Sequence, residues 1–161
     1  MKRTGPIMID KFGRLQIKIY NESDNPLPEY QNKGDAGMDI RANEEVVIRA
    51  FGWRKIKTGL YIIIPFGYEG QMRSRSGLAA KHGIQVLNTP GTIDSGYRDE
   101  LMVILINHGQ YAYKVEKGDR IAQLVIASVV HSELDAVPSL QDYMLFDKED
   151  RGGGFGSTGV K

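Results

Sequence analysis

The chain has 161 residues, the length of a single domain, with 41% hydrophobic residues and a formal net charge of +1. It contains no cysteine, which excludes disulfides, thiolate catalysis and Cys-zinc sites. The near-neutral charge argues against direct capture of long nucleic acid, and no apolar run approaches the roughly 18–20 residues that a membrane helix needs.

The opening segment MKRTGPIMIDKFGR is basic but lacks a long apolar stretch, so residues 1–13 read as a short extension, not a secretory signal. Residues 14–20, Arg-Leu-Gln-Ile-Lys-Ile-Tyr, alternate polar and apolar, the pattern of a half-buried strand. Residues 21–34 carry Asn-Pro and Leu-Pro and read as a loop. Residues 44–49 and 56–65 are β-branched and bounded by Gly or Pro, which predicts two strands. A short helix is expected over Ser76–His82, with Ser76 as its cap. Residues 101–106 are apolar at every position, as in a strand buried on both faces. Residues 121–130 read as another apolar strand with one polar residue early, Gln123. Short strands, 19 glycines and almost no helical period predict an all-β sandwich or barrel. Composition shifts after about Phe146, where the chain turns charged and then Gly-rich, the expected start of a mobile arm.

Four internal clusters and the tail are rich in groups that could do chemistry. The first, AGMDIRA at 36–42, places Asp39 in an apolar setting, where it could hold an ion-bound water or stabilise a turn. In the second, RSGLAAKHGI at 75–84, Arg75 and Ser76 lead into the predicted helix, a natural anion site or simply a capped helix. The third, NTPGTIDSGYRDE at 88–100, flanks Asp94 with the turn signals Pro90-Gly91 and Ser95-Gly96. A hairpin there could present backbone groups to a base edge, with Tyr97 against a sugar; the alternative is a plain loop with a solvated Asp. In the fourth, GDRIAQLV at 118–125, Gln123 needs a partner, a water or a ligand.

The tail, RGGGFGSTG at 151–159, cannot build a core but can wrap a ligand. Glycine lets backbone N–H groups approach phosphate oxygens, and Ser157 and Thr158 add donors. Arg151 offers a planar fork for phosphate, and Phe155 a flat face for a base. A flexible tail without a role is the competing reading. His82, His108 and His131 show no metal-ligand spacing and read as packing or surface residues.

In this order the five clusters resemble the motifs of the trimeric dUTP pyrophosphatase (dUTPase) family, over the span from about residue 14 to the end. The resemblance implies an all-β, jelly-roll-like β-clip fold: an extension over 1–13, a β domain over 14–146, and a mobile arm over 147–161 that closes on the nucleotide. It implies a homotrimer whose sites are built from three chains, one giving the first, second and fourth motifs, another the third, and the last its arm. The implied reaction is magnesium-dependent hydrolysis of dUTP to dUMP and pyrophosphate, by water attack on the α-phosphorus. That activity would limit uracil in DNA and supply dUMP for dTMP synthesis.

By the same resemblance Asp94 is the catalytic carboxylate, and Gln123 helps hold the water or the α-phosphate. Asp39 lies near the magnesium–water shell. Arg75, Ser76 and Gly77 bind the triphosphate. Asn88, Gly91, Thr92, Ile93 and Tyr97 form the uracil and deoxyribose pocket, with Tyr97 leaving no room for a 2′-hydroxyl. Arg151, Gly156, Ser157, Thr158 and Gly159 bind from the arm, and Phe155 stacks on uracil. No direct nucleic-acid or membrane partner is implied, and the implied location is cytoplasmic, or nuclear or organellar in a eukaryote.

Two positions depart from the family pattern. Asp99 stands where Gly is usual, and Asp tolerates positive φ better than most residues. Ser74 stands where Pro commonly precedes the Arg-Ser pair, so a less rigid turn is expected. The competing functions are a dCTP deaminase-type enzyme and a non-catalytic nucleotide-binding module on the same fold. The pairing of Tyr97 with Arg98 and the tail's Phe155 and Ser157-Thr158 favour dUTPase over the former. Asp94, Gln123 and Arg151 together argue against the latter.

Overall fold

Eleven short strands and two short helices order the described residues, 9–146, of the computed structural model. The strands are β1 (Lys18–Asn21), β2 (Gly37–Arg41), β3 (Val46–Ile48), β4 (Trp53–Lys57), β5 (Leu60–Ile63), β6 (Tyr68–Arg73), β7 (Ile84–Val86), β8 (Gly91–Ile93), β9 (Met102–Asn107), β10 (Tyr113–Val115) and β11 (Arg120–Ser128). The helices are α1 (Ser76–His82) and α2 (Leu140–Phe146). The chain divides into two units, one running to Val130 and the other from His131.

All the strands lie in the first unit. A four-stranded antiparallel sheet has the order β2-β11-β6-β8, a three-stranded one β4-β9-β7, and two further pairs join β1 to β5 and β10 to β3. Their inner faces share one core: Ile40, Met72, Ile93 and Leu124 from the larger sheet pack in the same cluster as Ile56, Ile84, Val103 and Leu105 from the smaller. Asn107 is fully buried within this unit, and its carboxamide donates to the carbonyls of Ile48 and Tyr111 and accepts from Gly109 N–H. No buried side-chain polar atom among the described residues lacks a partner. The all-β expectation is met, with a jelly-roll-like stack of short sheets.

Several expectations need correction. The first strand begins at Lys18, and Leu15 instead makes an isolated bridge with Ile9 around a turn closed by Asp10. Residues 56–65 do not form one strand: the chain turns at Thr58-Gly59 and continues as β5. Gly59 has φ 71°, and a Cβ there would come within 2.9 Å of Asn43 and Ser23. Within one chain only one face of β9 is buried. Val103, Leu105 and Asn107 point inward, while Met102, Ile104 and Ile106 are half-buried on the other face. The helix at Ser76–His82 has its predicted bounds, but its N-cap is Arg75 and no side chain caps it.

A second helix was not expected. In the second unit, Ser139 caps α2: its hydroxyl accepts from Asp142 N–H and donates to the Asp142 carboxylate. No helix among the described residues is long and apolar enough to cross a membrane.

Candidate functional site

Strand register brings three of the four internal clusters together. Gln123 on β11 faces Asp39 on β2 on one side and Arg73 on β6 on the other, so the three form a row across one end of the four-stranded sheet. They share the face opposite the core-facing Leu124 and Met72. Gly37 is needed beside them, since a Cβ there would press to 3.2 Å on Gln123 Cβ. The Asp39 carboxylate is gripped from two directions. Arg75 Nε donates to Oδ1 at 2.9 Å and Arg120 Nη1 to Oδ2 at 3.1 Å, and the Asp39 side chain is only 10% exposed. Arg75 Nη1 also donates to the Arg120 carbonyl at 2.9 Å.

Arg120 owes its position to the predicted Gly118-Asp119 turn. Gly118 adopts φ 93° and its N–H donates to the Ala42 carbonyl just past β2, while the Ala42 N–H donates to the Asp119 carbonyl. Gln123 itself is half-buried, and its side chain makes no hydrogen bond with a described residue. The sequence asks for a partner, a water or a ligand for this side chain, and no described residue supplies the partner. Arg73, Arg75 and Arg120 against one carboxylate leave this row with an excess of positive charge, suited to an anion.

Ser74 resolves one departure from the family pattern. Its hydroxyl accepts the Val86 N–H at 3.0 Å, tying the turn before α1 to β7. The turn is therefore anchored by a bond that proline could not make. Asp99 resolves the other: among the described non-glycine residues only Phe51 has positive φ, so Asp99 sits in ordinary backbone.

The third cluster builds a different kind of site. A cavity of about 130 Å³ is lined by Asn88, Gly91, Thr92, Ile93 and Tyr97, all five expected, together with Met72, Leu101, Met102 and Ile104. It lies between β8 and the half-buried face of β9. β8 is an edge strand, hydrogen-bonded to β6 alone, so its free edge offers unpaired backbone N–H and C=O groups. Gly91 keeps this wall open, because a Cβ would stand 3.0 Å from Asn88 Nδ2 and 3.3 Å from Met72 Cβ. Tyr97 is 37% exposed and its hydroxyl donates to the Glu100 carbonyl at 2.8 Å. Burial, and then the charges of Asp99 and Glu100, push the Tyr97 phenol above its usual pKa, so it remains a donor.

Asp94 is not in the polar row. It follows Ile93, which faces Gly70, and so leaves the sheet at the end of β6 opposite to Arg73. From the level of Asp94 to that of Gln123 is four steps of about 3.3 Å along the strands and two strand spacings of about 4.8 Å across. The Asp94 side chain is exposed and makes no hydrogen bond or ion pair with a described residue, while its carbonyl accepts the Tyr97 N–H. The five tail residues expected to bind substrate, Arg151, Phe155, Gly156, Ser157 and Thr158, and Gly159 with them, lie outside the described residues.

Sequence reasoning assigned no role to Arg120, Glu100 or the apolar walls Met72, Leu101, Met102 and Ile104. Arg120 and Glu100 stood inside the quoted clusters, but their partners lie far off in the chain. No group of three or more His, Cys, Asp or Glu that could hold a metal ion occurs among the described residues.

The dUTPase family model matches residues 23–159. The deoxyuridine 5'-triphosphate nucleotidohydrolase of Nautilia profundicola is 51% identical over 146 residues, covering 91% of this chain and 99% of that one. Its counterpart in Ehrlichia canis is 52% identical over 149 residues, with 91% and 95% covered. A variant of Staphylococcus bacteriophage 80alpha dUTPase, solved with dUpNHpp, aligns with a TM-score of 0.79 at 32% identity over 90% of this chain and 99% of its own. A variant of the dUTPase of S. aureus phage phi11, described as coordinating a structural Mg(II) ion, aligns with a TM-score of 0.71 at 31% identity over 78% and 99%. With the motif-bearing strands in place and the match running through nearly the whole chain, this protein belongs to the dUTPase family.

Proposed function

We propose that the protein hydrolyses dUTP to dUMP and pyrophosphate. The observation that carries this reading is the cavity at the free edge of β8. Its wall is backbone from Gly91, Thr92 and Ile93, flanked by the Asn88 carboxamide and the Tyr97 ring. A pyrimidine carries alternating donors and acceptors on one edge, which backbone N–H and C=O groups can match without any charged side chain. Tyr97 then lies against the deoxyribose and leaves no room for a 2′-hydroxyl.

The triphosphate takes the other kind of surface. Arg75, Ser76 and Gly77 lead into α1 beside the Asp39–Gln123–Arg73 row, and the tail residues Arg151, Gly156, Ser157 and Thr158 close from the arm, with Phe155 on the base. A water held by Gln123 attacks the α-phosphorus while Asp94 accepts its proton. The bond to the α–β bridging oxygen breaks, and pyrophosphate leaves with that oxygen. Such a reaction depends on positioning and charge stabilisation more than on a covalent nucleophile.

Within one chain Asp94 and Gln123 are too far apart for this step, because catalytic groups must come within about 3 Å of the atoms they serve. The register therefore supports a site shared between copies, in which Asp94 and the cavity of one copy meet the polar row of another. The half-buried Met102, Ile104 and Ile106 on β9 offer an apolar face for such a neighbour. A homotrimer with the arm from the last copy satisfies this geometry.

The donor set fits magnesium held mainly by phosphate and water. Asp39 uses one acceptor site on each oxygen for an arginine, which leaves capacity for a metal-bound water. When bound, the ion neutralises charge on the triphosphate. Pyrophosphate release from dUTP, dTTP, dCTP and UTP, each with and without magnesium, tests the reading. Release from dUTP alone, dependent on magnesium, is expected; dCTP deamination, or dUTP binding without release, would overturn it.

A further inference from the structure

We infer that Glu100 is a positioning residue that sets how sharply the site separates deoxyribose from ribose, acting through Tyr97. The inference rests on the dUTP reading above and extends it to a residue whose side chain does not line the cavity.

The loop between β8 and β9 is held mostly by itself. Tyr97 N–H donates to the Asp94 carbonyl at 3.0 Å, and Arg98 Nη1 donates to the carbonyls of Ser95 and Tyr97. Among the described residues, Glu100 is the one residue of this loop whose own side chain hydrogen-bonds to the rest of the fold. One carboxylate oxygen, Oε1, accepts the N–H of Thr58 at 3.1 Å and of Gly59 at 2.8 Å, in the turn between β4 and β5. The next residue repeats the join: Leu101 N–H donates to the Leu60 carbonyl at 2.7 Å, and Thr58 Oγ1 donates to the Leu101 carbonyl at 2.6 Å. That turn is itself rigid, since Thr58 is buried and Gly59 is wedged against Asn43 and Ser23.

Tyr97 is hung from this anchor. Its hydroxyl donates to the backbone carbonyl of Glu100 at 2.8 Å, which fixes the ring at the cavity wall. If Glu100 lets go, the Leu101 N–H bond to Leu60 still pins the peptide that carries this carbonyl, but the chain before it loses its second tie and Tyr97 is held less firmly at the wall. The ring then no longer firmly occupies the volume that a 2′-hydroxyl would need. Sugar discrimination depends on that placement, whereas the phosphate row on β2, β11 and β6 is untouched.

The acceptor oxygen, and not the negative charge, is what the geometry requires. Glu100→Gln keeps an oxygen at the same reach for both N–H groups, while Glu100→Ala leaves both without it. The test measures kcat/KM for dUTP and for UTP with magnesium in the parent, Glu100→Ala and Glu100→Gln, with thermal unfolding alongside. Glu100→Ala is expected to lower the dUTP-to-UTP ratio about tenfold, the scale of one lost hydrogen bond. Glu100→Gln should stay within about threefold of the parent by the same measure. An unchanged ratio in folded Glu100→Ala would overturn the inference, since a merely structural role weakens both substrates in parallel. So would a Glu100→Gln variant as damaged as Glu100→Ala. Should Glu100→Ala fail to fold, Tyr97→Phe removes the hydroxyl bond directly; it should lower the ratio too, and an unchanged ratio there overturns the inference. A parent inactive on dUTP overturns the functional reading and this inference with it.

Discussion

On the proposed reading, the polar row and the cavity take two parts of a nucleotide by opposite means. The row is built from long polar side chains whose partners lie far off in sequence: Asp39 is held by Arg75 at the N-cap of α1 and by Arg120 at the start of β11. The cavity is built from backbone edge, a glycine and one aromatic ring, with apolar walls. Charge is a diffuse label that any phosphate carries, so arginines suffice for it. Identity of base and sugar is a matter of shape, and shape needs a wall that does not move. That contrast explains why the cavity loop is stitched to a rigid turn while Arg73 and Arg120 stand partly in solvent.

The largest effect should come from breaking the bridge between the two regions. Asp94→Asn keeps the shape but loses the base, which costs on the order of 100- to 10,000-fold in turnover. Binding of dUpNHpp, followed by calorimetry, should stay near that of the parent. Turnover within about threefold of the parent would exclude Asp94 as the base, given that expected scale. Mixing sharpens the test: Asp94→Asn and Arg75→Ala chains, each nearly inactive alone, should regain activity when co-assembled. One copy then supplies Asp94 and another supplies Arg75. Verified mixed assemblies without activity would show that each chain makes its own complete site.

A smaller effect is expected from closing the cavity. Gly91→Ala puts a methyl group 3.0 Å from Asn88 Nδ2 and 3.3 Å from Met72 Cβ. Overpacking of this kind costs roughly 1–3 kcal/mol. The KM for dUTP should rise about tenfold or more on that scale, with kcat less affected. Equal affinity for dUMP in parent and variant, measured by competition, would show that the cavity does not hold the base.

The smallest effect belongs to a charge pair outside both regions. Lys117 donates to Asp24 at 2.8 Å, and that hydrogen bond, followed by the lysine's charge, holds the Asp24 carboxyl below its usual pKa. A lowered folded pKa means that the contribution is present above the unfolded pKa and lost as pH falls through the folded one. Both groups are exposed, so the pair contributes little. Asp24→Asn should leave dUTP hydrolysis unchanged and barely alter acid unfolding followed by circular dichroism. A marked loss of activity would show that charge far from the row matters.

Much of this was legible in the chain, for reasons that differ by residue. The helix at Ser76–His82 was readable because its signals are local, yet Ser76 does not cap it, since the helix starts one residue earlier than a cap at 76 requires. The break at Gly59 was hidden inside an apolar run, although Thr-Gly was its only visible mark. α2 carried its own signal in Ser139 and Asp142, three residues apart, which a reading focused on strands passed over. The five cavity residues were named because the motif that resembles the family is contiguous. Glu100 and Arg120 were not given roles, because the partners that define them lie more than forty and eighty residues away. Such pairings arise from register, and register is a property of the assembled sheet.

The distance between Asp94 and Gln123 has a consequence for how the protein behaves in dilution. On the proposed assembly a folded but solitary chain holds every residue the reaction needs and still cannot perform it. Specific activity then depends on mass action, as association does. Serial dilution below the dissociation constant should silence the enzyme without unfolding it, and reconcentration should restore it. Catalysis thereby becomes a readout of how much of the protein is present.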